Sequence, residues 1–208
     1  MWSKRHFRPC LPLWGLTLVS LFYWGSYNLL QQRAWYPNAV RSEARVDGTF
    51  ADVVPPAAPL PPVFLDNDSL YWLQLASERL SGGPWRPHRI AADNVPRGRP
   101  NHWSSPLVWL MAGTARLAAF FTGRPAAQLL DVTTPWINPG LFALLLVAVA
   151  TLLGRRLPSW TAGWLVLSLA TLPPIMRSFS VLHVDHHGLI DLPAILMMVC
   201  LLLGESGP

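Results

Sequence analysis

Charge is scarce in this chain. Of its 208 residues, 13% are Asp, Glu, Lys or Arg, about half the share of an ordinary soluble domain. A soluble globular class is therefore a poor match. The net charge of +5 is no nucleic-acid footprint, because the basic residues are scattered or sit at the ends of apolar runs. Cysteine is also nearly absent. Cys10 and Cys200 both lie in or beside apolar stretches, which leaves no disulfide framework. There is no internal repeat, and the first apolar run lacks the small-x-small cleavage site of a secretory signal. What the chain does have is apolar residues (51%), 11 Trp and 21 Pro. That mixture suits a membrane protein with irregular external loops.

The apolar runs predict an all-α polytopic protein with about four transmembrane helices and a long external loop carrying interfacial helices. Residues 1–10 hold Lys4, Arg5, His6 and Arg8 and are expected in the cytoplasm by the positive-inside rule. Residues 11–30 carry no charge and match the roughly 20 residues a span needs. Residues 107–121 are apolar too, but the run is short and Arg116 falls near its middle, a costly place for a charge in lipid. Reading it as a helix outside the membrane sets the topology. Residues 31–135 form the first external loop, and 136–154 the second span. Residues 155–159 are a cytoplasmic turn holding Arg155 and Arg156, and 160–175 the third span. Residues 176–188 form a second external loop, 189–204 the fourth span, and 205–208 a cytoplasmic end. Within the first loop, the proline-rich stretch 54–63 reads as an extended spacer. A helix follows it, begun by Asp66 or Asp68 and stopped at Gly82-Gly83, with Leu70, Leu73, Ala76 and Leu80 at helical spacing.

Under that topology the polar clusters share one face. Asp185, His186 and His187 lie between two apolar runs, where ionisable groups are costly and usually functional. Asp185 and His187 are two apart, so an extended backbone presents both on one side. Read alone, the triplet fits an interfacial turn facing water, and Asp68 fits a helix N-cap. Together, Asp68, His102, Asp185 and His187 can converge on one divalent ion. Their oxygen and nitrogen donors suit manganese or magnesium, with zinc possible.

Three motifs carry a family resemblance. They are Asn67-Asp68-Ser69-Leu70-Tyr71, Gly98-Arg99-Pro100-Asn101-His102-Trp103 and Val184-Asp185-His186-His187-Gly188. In order and spacing they resemble the N-terminal part of the oligosaccharyltransferase catalytic subunit, of the archaeal and bacterial single-subunit type. The resemblance covers about residues 11–204 and implies a truncated C-type glycosyltransferase fold. It implies a metal-dependent membrane enzyme that moves a glycan from a polyprenyl-phosphate-type carrier to the Asn side chain of an acceptor polypeptide. Asp68 and Asp185 would be catalytic, Asp68, Asp185 and His187 would hold the metal with His102 as a possible fourth ligand, and Arg177 could face the carrier phosphate. The partners would be lipid-linked oligosaccharide, acceptor polypeptide and membrane lipid, with no nucleic acid. The setting would be the cell (inner) membrane, active face outside the cytoplasm. The resembled enzymes continue well beyond four spans, so the chain is expected to be an incomplete fragment, inactive alone. Two other functions compete: a different polyprenyl-dependent sugar transferase, and a non-catalytic membrane remnant or interaction protein.

Overall fold

The computed structural model describes residues 11–47, 67–90, 97–101, 105–181 and 183–204, with the side chains of 33–47, 67, 68 and 70 outside that description. These residues are mostly helical. In chain order they form α1 (Leu11–Asp47), α2 (Asn67–Leu80), β1 (Arg89–Ile90), β2 (Arg99–Pro100), α3 (Pro106–Thr122), α4 (Ala126–Thr133), α5 (Ile137–Leu153), α6 (Ser159–Thr171), α7 (Pro173–Ser178) and α8 (His187–Gly204). A 3₁₀ turn, Thr134–Trp136, joins α4 to α5. The resulting helical run Ala126–Leu153, and α8, are long and apolar enough to cross a membrane.

The chain divides into two compact units. The first takes its described residues from 11–29, 139–180 and 187–204. Its core is built on α5, where Phe142, Leu145, Leu146, Val149, Ala150 and Leu153 are all buried. Their spacing of three and four residues makes one helical stripe. Small residues allow close approach on α6, where Ala162, Gly163, Val166 and Ala170 are buried. A Cβ added to Gly163 would stand 2.6 Å from Leu16 Cδ1, and one at Gly154 2.5 Å from Leu13 Cδ2. At both glycines a leucine side chain of α1 occupies the space that a Cβ would take.

In α1 the usual polarity of a surface helix is reversed. Its buried stripe is Leu13, Thr17, Ser20, Trp24 and Asn28. Thr17, Ser20 and Asn28 each donate a side-chain hydrogen bond to the carbonyl four residues back, so these buried polar groups are satisfied within the helix. Leu18, Val19, Phe22 and Leu30 are exposed, Phe22 at 78%. The helix also continues past the apolar run that ends at Leu30, because Gln31, Gln32, Arg33 and Ala34 are good helix formers. At the other end of this unit, α6 stops at Thr171. Leu172 is extended (φ −71°, ψ 117°), as a residue before proline tends to be. Pro173 then opens α7, where its missing N–H costs no hydrogen bond.

In the second unit, described residues within 30–138 and 181–186, α2, α3 and α4 pack on one another. The core includes Trp72, Leu75 and Ala76 of α2, Leu107, Val108, Met111, Ala112 and Ala115 of α3, and Leu129 and Leu130 of α4. The buried stripe of α2 is therefore Ser69, Trp72, Leu75 and Ala76, which shares Ala76 with the expected line of Leu70, Leu73, Ala76 and Leu80. Leu73 and Leu80 are only half-buried, because both sides of this short helix carry apolar residues. Gly82 ends it with φ +91°, and Gly83 N–H donates to Glu78 O at 2.9 Å. This is a Schellman stop. A Cβ on Gly83 would lie 2.6 Å from Glu78 O, so the second glycine is needed as well. β1 and β2 pair antiparallel, Arg89 opposite Pro100 and Ile90 opposite Arg99. Gly98, at φ +68°, turns into β2 where a Cβ would meet Ile90 O at 2.9 Å.

Candidate metal centre

Residues 183–186 form an irregular stretch that leads into the N-terminus of α8. Three alternate residues along this continuous piece of chain, His183, Asp185 and His187, bring their ligand atoms within 4.8 Å of one another. Ligands sharing an ion at about 2.1 Å stand roughly 3–3.5 Å apart, so small side-chain rotations close the group. Asp185 is 2% exposed and His183 17%; His187 is exposed. A carboxylate this deeply buried requires partners.

The two carboxylate oxygens have different surroundings. Oδ1 accepts the backbone N–H of His186 and lies against that residue's ring Nδ1, in a contact that lacks hydrogen-bond alignment. Oδ2 stands 3.9 Å from His183 Nε2. That gap is too long for a hydrogen bond and close to the separation of two ligands around one ion. Oδ1 thus holds the carboxylate in place while Oδ2 faces an imidazole nitrogen.

Two further elements of the second unit fix this stretch. Asn138, at the start of α5, donates from Nδ2 to His183 O at 2.9 Å and to Asp185 O at 3.1 Å. Ser69 Oγ accepts the Val184 N–H at 3.1 Å. The His186 ring lies 5.7 Å from that of Trp72. Ser69 and Trp72 both belong to the buried stripe of α2, so the first turn of α2 abuts the Val184-Asp185-His186 stretch. Replacing Asn138 by Leu removes both donors and leaves two carbonyls seeking partners. Unfolding stability is expected to drop by about 1–3 kcal/mol, read as a lower thermal midpoint. An unchanged midpoint would mean that these hydrogen bonds contribute nothing to holding the stretch.

Of the residues singled out in the sequence, Asp185 and His187 are brought together. The side chain of Asp68 lies outside the described residues, as does His102, although Asp68 belongs to the first turn of α2 beside Ser69. Arg177 is exposed in the last turn of α7, in the first unit. The residue added by the structure is His183. Its signal was present in the sequence as His183-Val184-Asp185-His186-His187, since the alternation that groups Asp185 with His187 extends one step back. With two imidazoles and one carboxylate, the donor set itself fits a divalent ion.

No family model, curated protein or solved structure matches the chain.

Proposed function

We propose that the chain is an integral membrane protein with the metal-dependent glycosyltransferase chemistry of the oligosaccharyltransferase type. The observation that carries this reading is the Ser69 Oγ to Val184 N–H hydrogen bond, which joins positions 115 residues apart. It links the acidic first-loop motif to the Asp185-His186-His187 motif. In that reading Asp68, in the same helical turn as Ser69, stands near the acceptor Asn. Asp185, fixed through Oδ1, directs Oδ2 toward the ion beside His183 and His187, with His102 as a further donor. Arg177 receives the carrier phosphate, for which a guanidinium fork is well shaped. The ion supplies Lewis-acid polarisation of the leaving phosphate. Two imidazoles favour manganese or zinc over magnesium, which prefers an all-oxygen set.

The membrane part of the reading draws on the reversed polarity of α1 and on α8, where Met197, Met198, Leu201 and Leu202 are at least 60% exposed. Apolar faces of this kind are stable against lipid and costly in water. The four expected spans would place the site outside the cytoplasm, at the cell membrane.

Binding tests the proposal directly. The chain in lipid nanodiscs is expected to bind a polyprenyl-pyrophosphate-linked oligosaccharide in the presence of manganese. Binding should fall at least tenfold in Asp185→Asn or Arg177→Ala. Ligand retention that ignores metal and both substitutions, or no retention at all, would defeat the reading.

A further inference from the structure

α3 exposes large apolar residues near its C-terminus as well as burying apolar residues along its other side. Leu107, Val108, Met111, Ala112 and Ala115 are buried. On the outward side, Leu117 is 59% exposed, Phe120 82% and Phe121 76%. Leu117, Phe120 and Phe121 stand at i, i+3 and i+4, so they form one stripe. The two phenyl rings meet edge to face at 5.3 Å. Gly123, in the left-handed region at φ +69°, ends the helix just beyond them, its N–H donating to Ala119 O. A surface helix in water would carry polar residues here. Two exposed arginines lie close in sequence, Arg116 beside the stripe and Arg124 one turn past Phe120, and exposed Asp131 follows on α4. Gly123, Arg124 and Pro125 alone separate α3 from the run Ala126–Leu153, which is long and apolar enough to cross a membrane.

We propose that the C-terminal half of α3 is a membrane-interface wedge. Leu117, Phe120 and Phe121 enter the headgroup–acyl boundary of the bilayer, while Arg116 and Arg124 meet lipid phosphates. Such a division is how interfacial helices bind, apolar residues buried a short way and basic residues at the headgroups. A bilayer matches this face better than a protein groove does, because the aromatic pair is bordered by two cations and phosphate is the complementary charge at that depth. Long arginine side chains also reach phosphates while their stems stay on apolar surface. The consequence for the proposed site is mechanical. α3 packs on α2, and α2 holds Val184 through Ser69, so a wedge anchored in lipid would fix the depth of the loop that carries the metal centre.

This inference rests on the membrane reading, and one experiment separates the two. A nitrobenzoxadiazole label is placed at residue 121 by Phe121→Cys, with Cys10→Ser and Cys200→Ser. A second sample carries the label on native Cys200, which is exposed on α8, with Cys10→Ser alone. Both are reconstituted into phosphatidylcholine–phosphatidylglycerol vesicles containing a lipid with its nitroxide near the headgroup. The label at 121 is expected to lose most of its emission to the shallow nitroxide and to resist aqueous iodide. Cys200 quenched by nitroxide lipid while 121 is quenched by iodide would overturn the wedge and leave the membrane reading standing. Iodide access at both positions would overturn both. A label at 121 shielded from iodide and nitroxide alike would assign the face to a protein partner, such as a second copy, and the wedge would again be wrong. As a second measurement, Phe120→Ser with Phe121→Ser, at exposed positions, should keep the helical spectrum while nitroxide quenching at a label on residue 117 drops at least twofold. Unchanged quenching at 117 would count against the wedge.

Discussion

Asp185→Asn is expected to lower divalent-metal affinity by more than about 100-fold, beyond the loss usual for residues that only support a ligand. The substitution is chosen because it keeps shape. The amide oxygen can still accept the His186 N–H that Oδ1 now accepts. The amide nitrogen then takes the place of Oδ2, so the group opposite His183 Nε2 at 3.9 Å turns from acceptor to donor. A ligand is lost and the local fold is kept. His183→Ala and His187→Ala should each cost about tenfold or more, and the pair should not add, since both act on one ion. Titration calorimetry with manganese and with zinc reads these affinities, and circular dichroism verifies the helices. A competing role for Asp185 is purely structural. A carboxylate before α8 favours the helix N-terminus electrostatically, and that role predicts a lower melting temperature with no metal dependence. Equal metal affinity for parent and Asp185→Asn would establish the structural role and remove the basis for the proposed chemistry.

How much of this was legible in the sequence depended on whether the deciding interactions were local. The ends of α2 were, because Gly82-Gly83 is a helix stop by backbone conformation alone. The break after α6 was also visible at Pro173-Pro174, and the Asp185-His187 pair followed from alternation. The buried face of α2 was legible only at Ala76. Its leucines and its Trp72 offer two apolar lines, and the contact with α3 and α4 selects one of them. The β1–β2 pair could not be seen either, since two-residue strands carry no alternation and depend on Gly98 turning the chain. The reversal in α1 was hidden for a different reason. Composition marks residues 11–30 as apolar, but the burial of Thr17, Ser20 and Asn28 emerges only when neighbouring helices choose that side. Most consequential is Asn138. Nothing in its surroundings marks it as special, yet it spans 45 and 47 residues of chain to hold the carbonyls of His183 and Asp185.

The largest expected stability effect lies in the first unit, at Phe142. Its side chain is fully buried, with Trp24 edge-on at 4.7 Å and Phe179 tilted at 4.8 Å. Phe142→Ala removes the ring that both neighbours contact, so α1, α5 and the turn after α7 lose their common filler. In water the cost of such a change combines the transfer of the ring with the cavity left behind, about 3–5 kcal/mol. Under the proposed membrane setting, the transfer part shrinks because acyl chains are as apolar as the core. The cavity part remains, since the ring's dispersion contacts are lost outright wherever the neighbours cannot close the gap. The expected loss is therefore about 3 kcal/mol, the lower end of that range. Leu144 on the same helix provides the control. It is 68% exposed, so Leu144→Ala should cost less than about 0.5 kcal/mol, as surface changes usually do. Denaturant unfolding in a fixed detergent, followed by tryptophan emission, compares the two variants with the parent. If Leu144→Ala destabilises as much as Phe142→Ala, the faces of α5 are assigned the wrong way round, and the core described for the first unit is not the one that holds it together.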